Sequence, residues 1–174
     1  MGRKMSQKER KKLRIGWFTF SCCEDSTIVF TELLNDHWRA WKEVLDIRHA
    51  RVLQTKNVLD ELDVAFIEGA LSSESHINRV KLIREKSKKV VAIGACAVSG
   101  LPSTQRNDFD EERLKEIQPV LEHFDYLPKA KKLSDVIKVD VDVPGCPMTE
   151  KKFLSVVGDM LKEFNIPPPT NASS

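Results

Sequence analysis

Cys22, Cys23, Cys96 and Cys146 are the only cysteines of this 174-residue chain, and each follows a run that reads as a buried strand. The first two come after LRIGWFTFS, the third after KKVVAIGA and the last after VIKVDVDVPG. Thiolate is a soft, strong metal ligand, so four of them at strand ends point to one four-thiolate centre, iron–sulfur or zinc. Disulfides are set aside. Adjacent cysteines bond to each other with difficulty, and no secretory leader is expected here, so the thiols stay reduced. Taken singly, any of these residues could be a small buried hydrophobe. Their shared placement argues against that for all four.

The neighbours of the cysteines suit such a centre. Gly94, Ala95, Ala97 and Gly145 keep bulk away and let backbone N–H groups approach sulfur, while Pro144 and Pro147 stiffen the last loop. Ser26 raises an alternative ligand set: either Cys22 and Cys23 both ligate, or one does and Ser26 or a solvent oxygen completes the site. The tandem pair is preferred because it uses all four thiols, although successive ligands demand a strained backbone.

Other candidates carry less chemistry. Glu68 closes a strand and could face a partner near the centre, or cap a helix. Arg106, in a long loop, could pair with a negative cluster or an acidic partner, or simply be solvated. His37, His49, His76 and His123 show no ligand spacing and read as surface residues. Trp17, Trp38 and Trp41 read as core or interface bulk.

Strands must deliver these groups to one edge. Leu13–Phe20 is apolar on both faces, as an inner parallel strand is. Glu24, Asp25, Ser26 and Thr27 then open a helix with apolar positions at Ile28, Val29, Phe30, Leu33 and Leu34. Lys42–Leu53 fits a second strand interrupted by His49 and Arg51, and Asp63–Gly69 a third. A helix opened by Ser72, Ser73 and Glu74 runs to about Lys86, followed by a strand over Lys89–Cys96. Residues 97–110 read as a long irregular loop, Glu111–Phe124 as a helix tolerating Pro119, Val136–Val143 as a strand and Thr149–Asn165 as a last helix. This alternation predicts an α/β, flavodoxin-like parallel sheet with helices on both faces and its site at the carboxyl ends of the strands.

Composition bounds the rest. At 41% hydrophobic and 31% charged residues the chain is that of an ordinary globular domain, and its longest apolar runs are strand-length, so no membrane insertion is expected. Residues 1–14 carry a surplus of six positive charges, which leaves the remainder at about −4 given a net charge of +2. Without interleaved aromatics that arm reads as a solvated leader or a dock for an acidic neighbour, not a nucleic-acid binder. The expected organisation is a basic tail over 1–12, a flavodoxin-like domain carrying the four-thiol centre over 13–166 and a Pro-rich tail over 167–174. No G-x-G-x-x-G or Walker pattern follows the first strand, which weakens a nucleotide-binding reading.

DVAFIEGA, then VVAIGACAVSG followed by P and QRN, then VPGCP, resemble the small subunit of nickel–iron hydrogenases and the related cluster-bearing connecting subunit of respiratory complex I. Soluble, cytoplasmic hydrogenases look nearest. The resemblance implies a single proximal 4Fe-4S cluster held by Cys22, Cys23, Cys96 and Cys146. Its partner would be a nickel–iron large subunit, with no catalytic residue in this chain and electrons leaving through a further carrier subunit. The first motif departs from the hydrogenase pattern: Ser26 stands where a second cysteine follows Cys-x-x, and the tandem pair looks like that of the complex I subunit. A connecting subunit of complex I or membrane-hydrogenase type, or a four-cysteine zinc interaction domain, are the alternatives.

Overall fold

The computed structural model describes residues 11–169. Five parallel strands form the central sheet: β1 (Leu13–Thr19), β2 (Leu45–Ala50), β3 (Leu62–Glu68), β5 (Ser87–Ile93) and β7 (Val141–Val143), in the order β2-β1-β3-β5-β7. The chain moves one way from β1 to β2 and the other way from β3 onward, so the sheet has its switch point between β1 and β3, where ligands of open α/β sheets collect. This is the expected flavodoxin-like order.

Helices cover both faces. On one side α1 (Asp25–Val44) and α5 (Glu150–Glu163) pack Phe30, Leu33, Trp41, Phe153 and Met160 against Ile15, Trp17, Val64, Phe66 and Val91. On the other, α2 (Glu74–Glu85) lays Ile77, Val80 and Ile83 onto Phe18, Ala65, Ile67, Val90 and Ala92. The alternation Val64/Phe66 against Ala65/Ile67 is the period of two that a doubly covered strand requires. Trp17 stacks on Phe30 with ring centroids 4.3 Å apart and planes 5° from parallel. Trp17 and Trp41 are thus core, whereas Trp38 is about half exposed, at 49%.

The amino ends of the strands are tied by charge. Asp63, at the start of β3, accepts from the Arg14 backbone N–H and guanidinium of β1 and from Lys88 of β5. Burial works to raise its carboxyl, but these cations outweigh it and hold the pKa down at about 2. Lys11 and Lys12 donate to the carbonyls of Phe164 and Lys42, at the carboxyl ends of α5 and α1, where helix carbonyls lack partners and favour cations. Residues 1–10 of the expected basic tail, and 170–174 of the Pro-rich one, lie outside the described residues.

Several expectations change. The Lys42–Leu53 stretch divides into the last turn of α1 and β2, and His49 does not break the strand. It is buried, 6% exposed, with its ring stacked 4.3 Å from Phe18, so it is not a surface residue. The strand expected over Val136–Val143 is only β7, preceded by a 3-10 turn at Leu133–Asp135. Asp140 explains the shortening, because its carboxylate accepts from the Val90 N–H at 2.8 Å and pairs with Arg84 at 2.6 Å in place of a longer ladder. An antiparallel pair outside the main sheet, β4 (Leu71–Ser73) with β6 (Tyr126–Lys131), was not foreseen. Its second strand is largely exposed and holds Pro128, which suits an edge. The strand expected over Lys89–Cys96 ends at Ile93, because Gly94, at φ +77°, turns the chain into α3 (Gly94–Val98). The irregular stretch expected over 97–110 contains the end of α3 and a 3-10 turn at Gln105–Asp108; α4 (Glu111–His123) accommodates Pro119 as expected.

Candidate metal centre

Each thiol stands three or four residues past the end of a strand: Cys22 and Cys23 after Thr19 of β1, Cys96 after Ile93 of β5 and Cys146 after Val143 of β7. The four line one small cleft together with Asp25, Ser26, Glu68 and Gly94. Cys96 is buried and Cys22 half-buried, forming the floor, while Cys23 and Cys146 are exposed at the rim. A group held there would be enclosed on one side and open on the other.

Each segment is locked by its own chemistry. Past β1 the chain stays paired, with Phe20 and Ser21 N–H groups donating to the Glu68 and Ala70 carbonyls at 2.8 and 3.0 Å. After Cys23, Glu24 takes a left-handed φ of 65°, which turns the chain into α1. The strained backbone of this turn is thus the residue that directly follows the cysteine pair. The first turn of α1 has no cap from its own N-cap residue. Glu68 supplies one from β3, accepting from the Ser26 N–H at 3.1 Å and from the Thr27 hydroxyl at 2.6 Å. Glu68 is thus a helix cap, and Thr27 in turn accepts from the Trp17 indole at 2.8 Å.

The other two segments lean on each other. Gly94 has φ +77°, and a Cβ there would lie 2.9 Å from Ser26 Oγ, so only glycine lets Cys96 turn in at this point. The Ala95 N–H donates to the Gly145 carbonyl at 2.7 Å, joining the Cys96 turn to the Cys146 loop. Ser26 Oγ accepts from the Met148 N–H at 3.2 Å, so this side chain fastens α1 to the loop after Cys146. The peptide bond between Cys146 and Pro147 is cis.

Burial pushes the Cys22 thiol up to about 12, aided by the charge of Glu68. At Cys23 the Asp25 backbone N–H favours the thiolate, but burial and the Asp25 carboxylate outweigh it and the shift is also upward. Burial likewise raises Glu68 against its bonds from Thr27 and Ser26. A buried thiol of this kind is neutral at ordinary pH unless a cation sits beside it, and a metal reverses that preference.

The donor set fits a sulfur-ligated group: four thiols on one cleft, small residues beside them and backbone N–H groups nearby. Among the described residues no three Cys, His, Asp or Glu side chains stand close enough to hold a single metal ion. Ser103 is a participant the sequence reading passed over. Its hydroxyl lies 3.2 Å from Cys96 Sγ and 2.8 Å from the Ser21 carbonyl, bridging the Cys96 turn to the Cys22 segment. The only signal was a serine in a loop beside a strand terminus. Arg106 does not face the cleft and is not simply solvated. It donates to the Leu127 carbonyl at 2.6 Å and lies over Tyr126 at 5.8 Å, so it secures β6.

Fold and site together define a doubly wound α/β domain with a four-thiol cleft on the carboxyl rim of its sheet. The chain belongs to the family described as NADH ubiquinone oxidoreductase, 20 Kd subunit, which it matches over residues 22–160. Its relatives include the coenzyme F420 hydrogenase subunit gamma of Methanosarcina barkeri, 30% identical over 88% of this chain and 57% of that protein. The NAD-reducing hydrogenase HoxS subunit delta of Cupriavidus necator is 23% identical over 92% of this chain and 85% of that protein. The chain spans about half the length of the first curated relatives, 57% and 44%. A crystal structure of an NAD+-reducing NiFe-hydrogenase shares the fold with a TM-score of 0.76 at 23% identity, covering 94% of this chain and 99% of that one. A NiFeSe-hydrogenase from Dm. baculatum gives 0.56 at 15% identity, over 91% and 67%.

Proposed function

We propose that this chain is the electron-transfer small subunit of a nickel–iron hydrogenase. One 4Fe-4S cluster would be held by Cys22, Cys23, Cys96 and Cys146, and the catalytic nickel–iron site would lie in a separate large subunit. The observation that carries the reading is the convergence of all four cysteines on one cleft, from segments separated by 73 and 50 positions. When bound, such a cluster exchanges one electron at a time between the large subunit and a further carrier. The chain's own residues do the rest. Cys22 and Cys96 hold from below, Cys23 and Cys146 from the rim, and the open side faces the partner. The cap made by Glu68 and the clasp made by Ser26 set where the thiols stand. No helix among the described residues is long and apolar enough to cross a membrane. Free thiols of this kind suit a reducing compartment, and we place the protein in the cytoplasm.

Two observations bear on the rivals. A lone zinc ion needs its sulfurs about 2.3 Å from one centre, and the thiols are not gathered that tightly among the described residues. The relatives named above are hydrogenase subunits, which favours hydrogenase over a quinone-linked connecting subunit.

The test is iron and acid-labile sulfide on anaerobically purified protein. About four of each per chain are expected, with a paramagnetic signal on reduction. Cys96→Ala and Cys146→Ala should abolish or convert the cluster, and Cys22→Ala and Cys23→Ala should do so equally. Zinc in place of iron, or a Cys22→Ala variant with an unchanged signal, would falsify this ligand set. Co-purification with a chain bearing two Cys-x-x-Cys pairs tests the partner separately.

A further inference from the structure

On the β2 side of the turn that carries Cys22 and Cys23 lies a second cavity, of about 320 Å3. That volume is within the range of small-molecule sites, roughly 300–1,000 Å3. Its polar lining is Thr19, Glu24, Thr27, His49, Arg51 and Arg79. Arg51 and Arg79 are exposed at its mouth, and neither has a hydrogen bond or ion pair with a described residue. Both charges are felt at the His49 imidazole, which burial foremost keeps in its neutral form. The one carboxylate on the lining is Glu24, so two guanidiniums face a single acid and the cavity is net positive.

His49 gives the site its selectivity. The ring is 6% exposed, and Nδ1 lies 3.0 Å from the Trp17 carbonyl, which can only accept. Nδ1 therefore carries the proton, and Nε2 is left as an acceptor. Nε2 has no partner among the described residues and is not one of their sealed, unsatisfied polar atoms, so it opens on the cavity that His49 lines. Beside it the Thr27 hydroxyl proton is already committed to Glu68, whereas Thr19 Oγ1 has only a 3.5 Å contact to Thr27.

An occupant must offer anionic oxygens to two arginines and an O–H to His49. We propose that this cavity binds a hydrogenphosphate group, with Arg51 and Arg79 on its oxygens and its remaining O–H donated to His49 Nε2. Arginine's planar fork suits phosphate oxygens. A carboxylate or a sulfate offers oxygens but no proton for Nε2. Free phosphate and a monoprotonated phosphomonoester share the chemistry.

Titration calorimetry on the full chain, in the complex with which it co-purifies, tests the assignment with inorganic phosphate, sulfate and adenosine monophosphate as probes. One saturable phosphate site per chain is expected, tighter than sulfate. Arg51→Gln and Arg79→Gln should each weaken it by about tenfold or more, as loss of a charge-assisted bond does. His49→Phe, which keeps the stacking on Phe18, should erase the preference for phosphate over sulfate. Tighter binding of the nucleotide than of free phosphate would assign the site to an ester, and the reverse to the ion. The proposal is overturned by absence of saturable binding, by binding indifferent to both arginines, or by phosphate that binds the isolated chain but not the complex. None of these readouts depends on iron, so this inference and the cluster reading fail separately.

Discussion

Ser26 shows how one side chain can resemble a ligand and serve as a fastener. It occupies the place of a second Cys-x-x-Cys sulfur and lines the thiol cleft, yet its oxygen already accepts the Met148 N–H. Ser26→Ala should therefore leave iron content intact while costing about 1–3 kcal/mol, the penalty for a buried N–H left without a partner; urea unfolding together with iron analysis separates the two effects. Gly94→Ala should behave differently. A methyl group at φ +77° and 2.9 Å from Ser26 Oγ must displace the Cys96 turn, so both stability and iron stoichiometry should fall. The cysteines and glycines could be read from the sequence because each has few uses beside a strand end. Ser103 and His49 could not be assigned that way, and Glu68 only as one of two uses, facing a partner or capping a helix. Their roles come from partners distant in the chain, Ser21 for Ser103, Trp17 and Phe18 for His49, and Ser26 and Thr27 for Glu68, and serine, histidine and glutamate are common in unremarkable places.

The strands and helices were legible where hydrophobic period and length agreed, as in β1, β3 and α5. They were misread where a side chain replaced backbone pairing. Asp140 does this at β7 and Asn57 at the outer edge of β2, where its carbonyl accepts the Ala50 N–H at 2.7 Å. Polar substitutes of this kind look like loop residues in a linear reading. The same charges make the elements sensitive to acid. Asp63 has a folded pKa of about 2, below its ordinary 3.8, so the stability it adds is complete above about pH 4 and is lost as pH falls toward 2. The loss should be about 2 kcal/mol, and Asp63→Asn should flatten that part of the stability–pH curve measured by denaturant titration. On the helical side, Phe30→Ala removes a ring stacked on Trp17 and should cost about 3–5 kcal/mol in the same assay.

Across the whole molecule the two edges of the sheet are chemically opposite. The carboxyl edge carries thiols with an apolar fringe, since Ile28 and Leu101, in the segments that follow Cys23 and Cys96, are 55% and 49% exposed. If a large subunit covers the open side of the cleft, Ile28→Asp should abolish co-purification while the isolated chain keeps its far-ultraviolet circular dichroism and melting temperature. The amino edge carries Lys11, Lys12 and Arg14 and leads into the basic residues that precede them. Lys11 and Lys12 are clasped to the ends of α5 and α1, so the chain enters the fold at a fixed point. β1 then runs seven residues, roughly 23 Å at about 3.3 Å per residue, before the thiols begin. A tag or dye attached ahead of Lys11, or an anionic electrode that adsorbs this basic end, would thus hold the molecule by the face away from its cysteines. If the cleft holds the proposed cluster, wiring the protein to a conductor calls for the other orientation, with the thiol rim turned toward the metal.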